Sequence, residues 1–299
     1  MSAWITGLEG TPAAPVVALC LALLAAVSHA VFGALQKGRH DPWLSRGAID
    51  FCYAAMALPF ALFVVAWPEP HVWLLLLGAM IIHIGYKYSQ AKAYVSGDFT
   101  VVYPIVRGMG PLVTVIGASI VFHEHFSFAQ WLGLLLLSGS IFLFAVINVR
   151  SATLDRKRLV TALSWATLTG FFVAIYTTYD AYGIRATPDP FTFLAWFFVV
   201  DGLVFPVIAL IRYRTMYDPP ALAPLMRRGL IGGLVAYISF GSVMLATRLD
   251  KVGEAAVLRE TSVVFAALIG WAFLGEKVGA IRGFLIILIA LGAVIVEFG

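Results

Sequence analysis

An all-α polytopic membrane protein, with ten transmembrane helices in two inverted five-helix repeats, is the fold class this sequence predicts. Three observations predict it. First, the 299 residues are 61% hydrophobic and 12% charged, with a mean hydropathy of +0.93, whereas soluble domains run to roughly 45–50% apolar and about 25% charged residues. Second, the apolar residues fall in runs near the ~20 that cross a bilayer as one helix. Third, one long segment of the first half recurs in the second.

The runs are read in order as Pro15–Gln36, Ser45–Trp67, His71–Tyr94, Phe99–Phe122, Phe128–Asn148, Leu159–Tyr182, Phe191–Arg212, Leu225–Thr247, Gly253–Leu274 and Gly279–Glu297. Pro-, Gly- and charge-bearing breakers separate them, among them "RHDPW", "WPEPH", "RSATLDRKR", "GIRATPDP" and "LGEKVG". Such runs exceed the ~10 residues of a barrel strand. The first fifteen residues hold no Lys or Arg, so they lack the basic region of a signal peptide, and the first run is expected to be retained.

The recurring segment is "VVYPIVRGMGPLVTVIGASIVFHEHFS" from Val101 against "GEAAVLRETSVVFAALIGWAFLGEKVG" from Gly253. Arg259 lies 152 residues after Arg107, and Glu276 lies 152 after Glu124. The fourth and ninth helices therefore correspond, giving a repeat over residues 1–150 and another over 151–299 within one integral membrane domain. An odd number of helices per repeat inserts the two in opposite senses, a plan that places a transporter's site near the midplane where the repeats meet.

Lys and Arg crowd the odd-numbered connections, as in Arg156, Lys157 and Arg158 or Arg212, Arg214, Arg227 and Arg228, with Arg46 counted among them. The even-numbered connections hold Arg185, Arg248 and Lys251. The positive-inside rule then puts the odd connections in the cytoplasm and both termini outside. A net charge of +4 with this distribution gives no sign of nucleic-acid binding. Cys20 and Cys52 fall in apolar runs and are expected to be small buried thiols.

Lys87, Arg107 and Arg259 lie within spans. A charge at that depth costs at least ~2.5–3.5 kcal/mol and marks an interior face, a partner or a wet cavity. His83, Tyr86, Lys87 and Gln90 follow at i, i+3, i+4 and i+7, which puts them on one helix face. For Arg107, Arg259 and Glu260 two readings are open. One is a structural ion pair, with Glu260 meeting Arg107 across the repeats. The other is a direct substrate or coupling role, with the arginine forks gripping a carboxylate, phosphate or phosphonate. Tyr103, one turn before Arg107, lines the same cavity or packs. His29 shares a face with Gly33, Gln36 and Lys37 and is read equally as an interior histidine or a site residue. Tyr176, Tyr179 and Asp180 read by default as an interfacial belt, and Asp50 and Asp201 as caps or vestibule residues. "FHEHF" at His123–His125 has two histidines but no third ligand, so no zinc site is expected. No nucleotide loop or nucleophile elbow appears. Neither a cofactor nor enzymatic activity is expected.

"VVYPIVRGMGPLVTVIGASIVFHEHF" and "AAVLRETSVVFAALIGWAFLGEKV" resemble the paired signature segments of EamA-type permeases of the drug/metabolite transporter superfamily. "SHAVFGALQK" and "IIHIGYKYSQAKAYVSGDFT" are similar to a phosphonate-utilisation-associated branch. The resemblance covers essentially the whole chain. It implies a central cavity lined by helices 1, 3, 4, 6, 8 and 9, with 5 and 10 peripheral, no ATP, and a small metabolite as cargo in the cell (inner) membrane. The chain departs from the pattern at His-Glu-His, where Gly-Glu-basic is usual, which argues against a role for Glu124 beyond its loop. Many members also have cytoplasmic termini. The expected function is a secondary transporter of a small anionic or zwitterionic metabolite working by alternating access. Arg107, Arg259, Glu260, Lys87, His83, Tyr86, Tyr103 and His29 are the candidate binding residues, and histidines and carboxylates are the groups available for proton coupling. A flippase of a lipid-linked substrate, or an intramembrane enzyme, is the alternative.

Overall fold

The computed structural model describes residues 3–36, 41–97, 99–150, 155–274 and 279–299, with the backbone alone at 34–36, 99, 100 and 270–274. Among these residues it is all helical. A short α1 (Ala3–Thr6) precedes α2 (Ala14–Gln36), α3 (Pro42–Phe63), α4 (Pro70–Ser96), α5 (Phe99–Val121) and α6 (Phe128–Arg150). The second half holds α7 (Arg156–Ala186), α8 (Pro190–Asp201), α9 (Val204–Thr215), α10 (Leu222–Leu249), α11 (Val252–Glu260), α12 (Ser262–Leu274) and α13 (Ala280–Phe298).

Among the described residues nine segments, counting α8 and α9 as one, are long and apolar enough to cross a membrane. The pair α11 and α12 makes the tenth, each piece being too short alone. The expected seventh and ninth helices are thus both discontinuous. In the seventh, Pro206 has no N–H to give the Gly202 carbonyl and its ring crowds that carbonyl, so the helix stops at Asp201 and restarts at Val204. In the ninth, Thr261 interrupts the helix and donates its N–H to Leu258 O at 3.0 Å.

Several starts are written locally. Asp41 accepts the N–H groups of Trp43 and Leu44 at the head of α3, Asp155 caps α7 and Asp189 caps α8, with Pro42 and Pro190 in the first turns.

Packing repeats with the chain. α2 lies on α10 as α4 lies on α7; α2 meets α11 and α12 as α5 meets α7; α3 meets α10 as α4 meets α8. Exchanging the first five membrane segments with the last five maps each pair onto another. The α6–α13 pair maps onto itself and stands at the periphery. There the backbones nearly touch: a Cβ on Gly133 would sit 2.8 Å from Gly292 O, and one on Gly292 would sit 2.6 Å from Gly133 O.

Bulky apolar side chains such as Phe63, Leu74, Ile120 and Phe128 point outward, while Ala22, Ala25, Ala57, Ala79 and Ala166 fill the interior. Small residues inside let the helices close on polar groups, and large ones outside meet hydrocarbon. Cys52 is buried as expected, but Cys20 is exposed on the outer face of α2. Hydrocarbon solvates a thiol readily, so the apolar run did not fix which way it faced.

Candidate functional site

The two helix breaks hold the two buried polar clusters. A break leaves main-chain carbonyls without helical partners, and in both cases a cation from the first half takes one. Lys87 Nζ on α4 donates to the Asp201 carbonyl at 3.0 Å, and Arg107 Nη2 on α5 donates to the Arg259 carbonyl at 3.2 Å.

Around the first break, Lys87 Nζ also lies 2.6 Å from Asp50 Oδ2 and 2.8 Å from Asp201 Oδ2, and donates to Tyr53 OH at 2.9 Å. Tyr53 in turn donates to Asp201. Arg46 Nε stands 2.8 Å from Asp50 Oδ1, one helical turn away on α3. His83 Nε2 is 2.9 Å from Asp180 Oδ2 on α7, and His83 Nδ1 is 3.5 Å from Asp201 Oδ1. All these groups are buried. Gly202 permits the join: a Cβ there would meet Asp50 O at 2.8 Å and Ala54 Cβ at 2.6 Å.

Around the second break, Arg107 Nε lies 2.6 Å from Glu260 Oε2, and Arg107 Nη2 donates to Ser262 Oγ at 2.8 Å. Arg259 is held more loosely. It stands 3.9 Å from Glu260 Oε1, 3.4 Å from Thr177 Oγ1, and over the Tyr176 ring at 5.9 Å.

A narrow cleft lies between the clusters, with room for little more than a water molecule. Tyr176, Thr177 and Asp180 of α7, Phe240, Met244 and Thr247 of α10, and Arg259 of α11 line it. A cation and a carboxylate thus face the same cleft.

Arginines join the helix ends beside the cleft at the even-numbered connections. Arg185 donates to the Thr247 and Asp250 carbonyls at 2.7 Å each. Arg248 pairs with Glu9 at 2.6 Å and donates to the Ile184 and Thr187 carbonyls. Glu124 accepts the N–H of Val252 at 2.7 Å and of Gly253 at 3.1 Å, capping α11 from another helix's loop. The expectation that Glu124 acts only within its loop is therefore corrected, because the start of α11 packs directly against it. Its repeat counterpart Glu276 lies outside the described residues.

Of the sequence-derived candidates, His83 and Lys87 enter the first cluster and Arg107, Arg259 and Glu260 the second. Tyr86 stacks edge-on to Tyr176 between them, at 4.9 Å, and its hydroxyl accepts from Gln90 at 2.9 Å. The Tyr103 ring lies 5.8 Å from the Arg107 guanidinium carbon. His29 sits half-buried on α2, its ring 6.0 Å from that of Phe32. Lys37 and the Gln36 side chain lie outside the described residues.

Five readings change. Asp180 and Tyr176 are not part of an interfacial belt, Asp50 and Asp201 are neither caps nor vestibule groups, and Arg46 is not a loop charge; Tyr176 is buried on the cleft wall and the other four are buried in the first cluster. The signal was present in the sequence. "GAIDFCYAAM" and "FFVVDGLVFP" each set a carboxylate inside an apolar run, where burial demands a partner. Among the described residues no group of histidines, cysteines and carboxylates suits a metal ion.

Comparison with known proteins fits this architecture. The model of the EamA-like transporter family matches the chain twice, over residues 16–146 and 160–298. A solved structure described only as the crystal structure of a protein superposes with a TM-score of 0.74, covering 95% of this chain and 96% of that one at 15% identity, a likeness of fold alone. No curated protein matches by sequence. With its apolar helices and a family model matched over both halves, this integral multi-pass membrane protein is a transporter of the drug/metabolite type and belongs to the EamA-like transporter family.

Proposed function

We propose that the protein is a secondary transporter that moves a small zwitterion, an amine bearing a carboxylate or phosphonate, by alternating access. The repeats over 1–150 and 151–299 rock about the midplane, and the odd-numbered connections face the cytoplasm of the cell (inner) membrane. The observation that carries the substrate class is the pair of opposite charges, Arg259 and Asp180, on the walls of one buried cleft. A guanidinium held by long contacts is available to an anion and binds it through its planar fork, while Asp180 offers an acceptor to an ammonium. Lys87 and Arg107 are already engaged by carboxylates, so their role in this reading is to stabilise the two helix breaks beside the site.

The resemblance of the first and third helices to phosphonate-associated permeases supports including aminophosphonates with amino acids. Burial of Tyr176, Asp180 and Arg259 away from the lipid-facing surface weighs against a flippase. The purified protein is screened by thermal shift against amino acids, aminophosphonates, organophosphates and N-acylated analogues, and compounds that stabilise it are tested for counterflow in liposomes. Stabilisation and counterflow by compounds bearing both charges, lost on N-acylation, support the reading. Equal response to amine-free anions refutes the zwitterion assignment, and absence of counterflow by any stabilising compound refutes transport.

A further inference from the structure

His83 is 1% exposed and lies between two carboxylates, with Nε2 2.9 Å from Asp180 Oδ2 and Nδ1 3.5 Å from Asp201 Oδ1. A neutral imidazole has one N–H and one lone pair. With the proton on Nε2, the Nδ1 lone pair faces a carboxylate oxygen at 3.5 Å, and neither atom has a hydrogen-bond partner. With the proton on Nδ1, the lone pair faces Asp180 at the shorter distance. Only one further proton makes both contacts attractive.

Charge balance agrees. The first cluster joins two cations, Arg46 and Lys87, to three carboxylates, Asp50, Asp201 and Asp180. An imidazolium at His83 closes that balance. Groups facing His83 come from every helix around it: Asp180 and Tyr176 from α7, Asp201 from the end of α8, and Phe240, which cannot titrate, from α10. On its own helix stand Tyr86 and Lys87. Asp50, Tyr53 and Arg46 of α3 are reached through Lys87 and Asp201. Arg259 stands across the cleft.

We propose that His83, between Asp180 and Asp201, is a proton-binding site whose occupancy sets the conformational equilibrium of the protein. Its coupling role rests on the transport reading. The proton binds the imidazole without breaking a covalent bond and ties α4 of the first half to α7 and α8 of the second. Its loss leaves acceptors facing one another across the same join, which favours separation. The network runs from Asp50 on α3 to Asp180, near the end of α7, so carboxylates able to carry a proton stand on both sides of His83. Glu260 stands apart from this join, paired with Arg107 at the other break.

Two measurements test this, and neither needs a cargo, so failure of the zwitterion reading leaves both decisive. The first is a pH titration of the protein in nanodiscs, labelled with ¹⁵N in its imidazoles, with His83 assigned by loss of its signals in His83→Gln. Protonation of both ring nitrogens at the acid end of about pH 5–8, and of one at the alkaline end, is expected. A single neutral tautomer throughout overturns the proposal. The second is maleimide labelling of Thr247→Cys, in the cleft wall, in a background lacking Cys20 and Cys52. Rates are normalised to Tyr217→Cys, whose exposed position reports the reagent's own pH response. A change of about tenfold across the titration is expected, and a flat response in His83→Gln and Asp180→Asn. A flat response in the otherwise native chain, or the same pH response in both variants, overturns the gating role. If both variants misfold, the response of the otherwise native chain and the titration decide the matter.

Discussion

Arg107 Nε lies 2.6 Å from Glu260 Oε2, an ion pair that fastens the fourth membrane segment to the break in the ninth. Both side chains are almost fully buried. Removing one partner strands the other's charge in the interior, a loss of ~3–5 kcal/mol, whereas replacing both together is far milder. Arg107→Ala and Glu260→Ala each therefore lower the melting temperature in detergent and the monodisperse yield. The Arg107→Met/Glu260→Met pair recovers much of both. Additive losses in the double variant would show that the pair contributes little.

Arg259 behaves differently, because its contacts are long. Arg259→Ala keeps the monodisperse yield near that of the unaltered chain. It weakens binding of the best zwitterion from the thermal-shift screen by roughly tenfold to a hundredfold, the ~1.5–3 kcal/mol of a hydrogen bond to a charged group. Calorimetry measures this, and unchanged affinity removes Arg259 from the site.

The helix ends beside the cleft are joined by few polar side chains. Arg185 and Arg248 satisfy carbonyls at the ends of α7 and α10. Arg185→Ala releases two of these acceptors and shifts the protein toward states open at the even-numbered connections. Labelling of Thr247→Cys in that background accelerates by about tenfold, as expected for loss of ~1.4 kcal/mol from a two-state closure. Unaltered labelling would mean that this face is closed by apolar packing.

If cargo ammonium and proton answer to the same Asp180 carboxylate, each opposes the other's binding by linkage. On the acid side of the His83 titration, each tenfold rise in proton concentration raises the apparent KM for a zwitterion by up to about tenfold, as competition for one site requires. Alanine at the Asp180 position abolishes that slope. Counterflow at several pH values reads it directly.

Gly133 and Gly292 face each other where α6 crosses α13, with no room for a side chain on either. Gly133→Leu forces the backbones apart and lowers thermal stability, by ~1–3 kcal/mol if the helices shift as overpacked cores do. This crossing is remote from the cleft, so the variant that remains folded retains cargo affinity. Weakened binding in folded protein would tie the periphery to the site.

Much of the fold was legible because the bilayer writes it into hydropathy. An apolar run must be a helix when no water is present to satisfy its backbone, and the matched Arg–Glu spacing exposed the repeat. The stripe His83, Tyr86, Lys87 and Gln90 and the pair Arg259 and Glu260 were visible because charge in such runs is conspicuous. Asp50, Asp180 and Asp201 were also conspicuous, yet their partners are 37 to 114 residues away in sequence for the Lys87 and His83 contacts. Periodicity along one helix carries no information about such contacts.

The sequence by itself determined the membrane helices, their repeat and the presence of charge within them, because each follows from local composition and from the cost of exposing backbone or charge to hydrocarbon. Only the tertiary structure decided which charges cancel, which remain available beside a cleft, and that two of the helices break to offer carbonyls to Lys87 and Arg107. Those outcomes depend on distances between helices, and distances are set by how the whole bundle packs.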